Sequence, residues 1–244
     1  MSSQKQRRKQ RRPSRRLPSK SSAYRKGVRK ADELLSKNDI EPRHDNWQQL
    51  ALHWFAPKEP ERGVLANYIT ECEDELGVSW AREILRLEVF FQAEDYMLII
   101  EHYDQAFSLY PRCALVEMWV ADQIFRHGGD FWRARQMYRY TIDSLPDHPK
   151  PYYELGFMSY LLGDFPGAVD WFNQAADRLA DYDAELAARV FYNRGLVRYF
   201  LDGDKQPTIA DVKEALRRKP DYAQAKEALR GLRSRRGRLR LVPW

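Results

Sequence analysis

Between Pro151 and Ala176 the chain reads PYYELGFMSYLLGDFPGAVDWFNQAA, and this stretch limits the fold more than any other. Tyr152, Leu155, Gly156 and Ser159 recur at helical spacing, and Ala168, Phe172 and Ala175 do the same after them. Two short helices are expected, joined by a turn at Gly163 and Asp164. Gly163 supplies a positive φ, Asp164 caps the second helix, and Pro166 sits in its first turn, where a missing N–H is harmless. Gly inside a helix costs about 1 kcal/mol relative to Ala, so Gly156 calls for a packing reason. With Ala168 it lets the two backbones approach closely.

So short a hairpin cannot bury its apolar face alone, and neighbouring copies are expected. Gly129-Asp130-Phe131 lies 34 residues before Gly163-Asp164-Phe165, and Ala134 and Tyr138 match Ala168 and Phe172. One unit earlier, Glu94-Asp95-Tyr96 takes the turn position, followed by Tyr103, Ala106 and Pro111. Downstream, Gly195 repeats Gly156, and Ala215 with Pro220 repeats the end of a second helix.

A period near 34 with these residue types resembles the tetratricopeptide repeat family. The unit from Pro149 supplies Tyr152, Leu155, Gly156, Tyr160, Gly163, Asp164, Phe165, Ala168, Phe172 and Ala175. The unit from Leu115 departs from the pattern at Asp122 and Thr141, and the unit from Ala188 has Arg194 where Leu is usual. The resemblance implies an all-α, right-handed α-solenoid of helix hairpins, with helical caps and a groove that binds protein or peptide. Four units are expected, near residues 80–113, 115–148, 149–182 and 188–222, within a solenoid of 79–225. A helical cap over 31–78 precedes them. It is marked by Trp47, Leu50, Ala51 and Trp54 on one face and by Val64, Leu65, Tyr68 and Cys72 on the next. Residues 226–244 read as a basic helix end and tail.

In this family the first helix of each unit lines the concave face. Carried over position by position, the partner-binding groove comprises Trp119, Gln123, Arg126, Tyr153, Phe157, Tyr160, Arg189, Tyr192, Leu196 and Tyr199. Such a set is rich in aromatic anchors, which suit an apolar peptide. The carboxylate clamp that grips chaperone tails is disfavoured, because Ile84, Glu88, Trp119, Gln123 and Glu154 hold most of its positions and only Arg189 and Asn193 echo it.

Charge divides the chain differently. Residues 1–30 hold thirteen Lys or Arg and no Asp or Glu. They are expected to form a disordered basic arm. Arg7, Arg8, Lys9, Arg11, Arg12, Arg15 and Arg16 are its candidate contacts for RNA, DNA or an acidic protein. Residues 217–240 carry a further +8, so a whole-chain +6 leaves about −15 on residues 31–216. Polyanion binding is therefore confined to the ends.

No nucleotide-binding loop, nucleophile elbow or paired-histidine metal motif occurs, and the histidines at 44, 53, 102, 127 and 148 share no ligand spacing. The expectation is an interaction scaffold without cofactor or catalysis. The alternative is a nucleic-acid or ribonucleoprotein factor that binds through its arm. Two cysteines, Cys72 and Cys113, with no signal segment suggest a reduced cytoplasmic setting, or a nuclear one in a eukaryote.

Overall fold

The computed structural model describes residues 22–37, 44–56, 59–76, 80–107, 112–128, 130–179 and 183–233. Twelve α-helices account for almost all of them. They are α1 (Ser22–Lys37), α2 (His44–Phe55), α3 (Glu59–Leu76), α4 (Trp80–Gln92), α5 (Tyr96–Phe107), α6 (Ala114–Gln123), α7 (Phe131–Ser144), α8 (Pro149–Leu161), α9 (Phe165–Ala176), α10 (Ala184–Asp202), α11 (Lys205–Arg218) and α12 (Ala223–Arg233). A π-helical turn, Ile124–Gly128, extends α6.

From α4 onward the helices pair in order, each antiparallel to the next across a short connection. The Pro151–Ala176 hairpin is α8 and α9. Gly163 has φ 78°, and the Asp164 carboxylate accepts from Gly167 N at 3.0 Å. Asp130, Asp183 and Asp204 cap α7, α10 and α11 in the same way. The Gly156 close approach is real. A Cβ there would lie 2.8 Å from Cδ1 of Phe172, which is fully buried. Gly195 has the same role in the following unit, where a Cβ would meet Asp211 at 2.9 Å. Helix α10 begins four residues before the expected unit start, because Asp183 rather than a later residue supplies the cap.

The turn between α4 and α5 copies the Gly163 turn without its glycine. Glu94 N donates to Phe91 O and Asp95 N to Phe90 O, as Gly163 N does to Tyr160 O and Asp164 N to Ser159 O. Glu94 adopts φ 55°. A non-glycine residue in the left-handed region is strained by about 1–3 kcal/mol, against roughly 0.5–1 kcal/mol of extra chain entropy for glycine. Glu94→Gly should therefore stabilise the protein by about 1 kcal/mol and raise Tm by about 2–4 °C. A lowered Tm in a thermal melt would show that Glu94 makes a compensating contact.

The N-terminal helices correct one expectation. Residues 22–30 are not a disordered arm but the first half of α1. Tyr24, Ala31 and Leu35 are buried, at intervals of seven and four, and this amphipathic stripe packs on α4 and α5. Asp32 accepts from Arg86 Nε and Nη2 at 2.8 and 2.7 Å, and Tyr24 reaches His102. Residues 1–21 lie outside the described residues, and so do the side chains of Trp47 and Trp54.

Helix α2 lies against α4 and reaches α6. The Phe55 ring meets Trp119 at 5.0 Å, and Glu61 Oε1 of α3 lies 3.1 Å from His148 Nε2, 87 positions away. These contacts set α2 and α3 beside α6 and the start of α8.

Candidate partner-binding cavity

A cavity of about 540 Å³ opens between the first helices of three successive units, with Phe55 and Glu61 along one side. Its apolar wall is Leu115, Met118, Trp119 and Leu186. Its polar wall carries five carboxylates (Glu61, Asp122, Glu154, Asp183, Glu185) against three permanent cations (Arg126, Lys150, Arg189) and His148.

Each polar group has a structural reason for its place. Asp122 is buried and takes Tyr138 Oη at 2.6 Å and the Lys150 ammonium. Burial, and then the Asp122 charge, push the Tyr138 hydroxyl well above its ordinary range, so it stays a donor. Arg126 is carried by the π-helical turn, which moves its side chain off the straight helical register. Its Nη2 lies 3.5 Å from Glu154 Oε1, the long limit of a hydrogen bond. Glu154 is only 2 % exposed. Desolvation, reinforced by the neighbouring Asp122 charge, raises its carboxyl above the usual range, while Lys150, Arg126 and Arg189 oppose the shift. Arg189 lies over the Tyr153 ring at 4.9 Å. The cavity thus holds a buried carboxyl, weakly paired, beside an apolar wall.

Of the ten groove positions expected from the sequence, three line this cavity: Trp119, Arg126 and Arg189. Four others do not line it and are buried. Tyr153 is fully enclosed and accepts from Asn193 Nδ2 at 2.9 Å, so its ring supports α10 from below. Tyr192 packs edge-on against Tyr222 at 5.5 Å, and burial pushes its hydroxyl up to about 12. Gln123 and Leu196 are likewise buried. Phe157, Tyr160 and Tyr199 are half-buried and lie toward the helix ends, in a run of ring contacts from Phe125 to Phe200. The seven arm positions from Arg7 to Arg16 lie outside the described residues.

Sequence reasoning missed Asp122, Lys150, Glu154, His148 and Glu185 as cavity residues. One signal pointed to the first of them: Asp122 stands where the repeat pattern wants a small residue. Among the described residues no cluster of His, Cys, Asp and Glu could hold a metal ion, and no helix is long and apolar enough to cross a membrane.

Comparison with known proteins agrees with this architecture. No family model matches the chain, and no sequence relative is found among curated proteins. Solved structures similar in fold include the following three. MamA superposes with a TM-score of 0.51 at 18 % identity, over 60 % of this chain and 81 % of its own. The APC/C hetero-tetramer Cut9-Hcn1 gives 0.57 at 15 %, over 87 % of this chain but only 40 % of its own. YrrB, described as a TPR protein with an unusual peptide-binding site, gives 0.53 at 12 %, over 83 % and 99 %. The repeat read from the sequence and the fold of these neighbours agree: this chain is an all-α solenoid, similar in fold to YrrB, a TPR protein.

Proposed function

We propose that the chain is a protein-interaction scaffold, and that the cavity between α6, α8 and α10 receives a short segment of a partner protein. The observation that carries this reading is the buried, weakly paired Glu154 beside the apolar wall of Leu115, Met118 and Leu186. Five carboxylates against three permanent cations favour a segment that brings a basic side chain together with an apolar anchor. Binding would give Glu154 a full-strength partner and displace water from the apolar wall. YrrB supports the reading as a neighbour of the same fold with a peptide-binding site. The setting inferred is a reducing one, cytoplasmic or nuclear, since Cys72 and Cys113 are both free thiols.

The test is affinity capture from the native host with full-length protein, with and without nuclease, repeated with Arg126→Ala/Glu154→Gln. Both charges are removed together so that the buried Glu154 is not left without its partner. Partners should survive nuclease, and the variant should hold them about tenfold less tightly or worse, as expected for a hot-spot pair. Partners that bind the variant equally well would refute the cavity as the site. Partners that vanish with nuclease would move the function to the basic arm.

A further inference from the structure

The edge of the solenoid where the first helix of each unit turns into the second is unusually apolar at its far end. Leu161 and Leu162 are each 54 % exposed at the end of α8, and Phe200 and Leu201 are 38 % and 47 % exposed at the end of α10. Tyr160, Phe165 and Phe200 stack within 6.1 Å of one another and form the floor between them. Exposed carboxylates border this patch: Asp164, Asp202 and Asp204. Their oxygens accept from Gly167 N, Asp204 N and Gln206 N, respectively. An apolar patch this concentrated, bordered by three aspartates, has the character of an interaction surface.

The chain itself carries a segment of matching chemistry, and it starts on the same edge. Helix α12 follows α11 across a four-residue connection and runs antiparallel to it, as α11 does to α10. Arg233 at the end of α12 therefore lies at the same edge as Asp202 at the end of α10. Neighbouring helices lie about 8–10 Å apart, so the patch begins one or two helix spacings away. Residues 234–244, SRRGRLRLVPW, follow Arg233. Eleven residues reach at most about 36 Å when extended, more than enough. The segment holds four arginines (Arg235, Arg236, Arg238, Arg240) and the apolar group Leu239, Leu241, Val242 and Trp244, with no acidic residue. In an extended backbone Arg238 and Arg240 face opposite to Leu239 and Leu241. One face then suits the apolar floor and the other the aspartate rim.

We propose that residues 234–244 dock on the turn-side edge formed by the ends of α8 and α10, with the leucines and Trp244 on the Tyr160–Phe200 floor and the arginines toward Asp164, Asp202 and Asp204. The docking is within one chain and independent of the cavity between α6, α8 and α10.

The test places a photo-crosslinking residue, p-benzoylphenylalanine, at position 244 of the full-length protein. An equal mixture of isotopically light and heavy chains is irradiated and digested, and the joined peptides are read by mass spectrometry. The expected products are light–light and heavy–heavy links to peptides spanning 160–166 or 199–204. Leu161→Ser/Leu201→Ser, two exposed positions, should cut the yield by about tenfold, from the lost apolar contact. Higher salt should lower it further. Links to the Trp119 and Arg189 cavity, light–heavy links that grow with concentration, or yields no higher than in the denatured chain would each overturn the proposal.

Discussion

Phe172→Ala should be among the most damaging single substitutions in this protein. The ring is fully buried, sits 5.8 Å from Tyr153 and fills the space left by Gly156. Removing an enclosed phenylalanine costs about 3–5 kcal/mol, through lost burial and through the cavity left behind. The Tm should fall by roughly 10 °C on the scale of 2–4 °C per kcal/mol. The companion residue makes the explanation specific. Gly156→Ala should itself destabilise, by about 1–3 kcal/mol, because its Cβ would lie 2.8 Å from the ring. That would reverse the gain of about 1 kcal/mol that helix propensity alone gives Ala over Gly. In the Phe172→Ala background the same Gly156→Ala change should become neutral or stabilising. Urea titrations of the four proteins give the coupling directly. Additive effects would show that Gly156 is kept for some reason other than the ring.

The hairpin was legible because its signals are local and redundant. Gly163 and Asp164 specify the turn, Pro166 the helix start, and Gly156 with Phe172 the crossing. The same signals, weakened, located the other units. Departures from the pattern were visible but not interpretable, since their partners lie in other helices. Asp122 replaces a small residue and is satisfied by Tyr138 and Lys150. Thr141 replaces an Ala and returns its hydroxyl to Met137 O at 3.0 Å. Arg194 replaces a Leu and pairs with Asp211 at 2.5 Å and Asn173 at 3.1 Å. For Asp122 and Arg194 polar side chains of adjoining helices stand in for an apolar contact, and only the three-dimensional arrangement shows the exchange.

The groove was less legible for a geometric reason. Neighbouring positions on one helix point about 100° apart, so a small shift in register moves a side chain from the inner surface to an interface. Tyr153 and Glu154 show this. The aromatic residue looked like the binding surface, yet it is enclosed against α10. The carboxylate beside it reaches the cavity. Helix α1 was misjudged through composition. Its basic residues alternate with Tyr24, Ala31 and Leu35, and the density of charge hid a stripe that buries well.

That stripe leads to the second large effect, a loss of stability in mild acid centred on His102. The ring is fully buried among α1, α4 and α5. Its Nε2 lies 3.0 Å from Glu83 O, which can only accept, so Nε2 carries the proton. Nδ1 is then the acceptor for Tyr24 Oη, also at 3.0 Å. A second proton would abolish that acceptor and place a cation in a buried site. Burial lowers the folded pKa from 6.5 to about 4; the Glu83 carboxylate and carbonyl oppose this, Arg86 adds to it, and Asp32 is a smaller opposing charge. The unfolded chain therefore binds the proton first as pH falls. Stability is intact above the unfolded value and is lost progressively between about pH 6.5 and 4. A shift of this size corresponds to about 3 kcal/mol across that window, at about 1.4 kcal/mol per pH unit. Carboxyls with raised values, Glu88 and Glu154, act in the opposite direction, so total stability alone does not isolate the histidine. His102→Gln does, since an amide can donate to Glu83 O and accept from Tyr24 without ionising. Between pH 7 and 4 the wild-type protein should lose about 3 kcal/mol more than this variant in urea titrations. Hydrogen exchange should show α1 opening first, because Tyr24 is its tie to the site. Parallel pH profiles for the two proteins would mean that His102 takes its proton without cost, and that α1 is held by the Asp32–Arg86 pair instead.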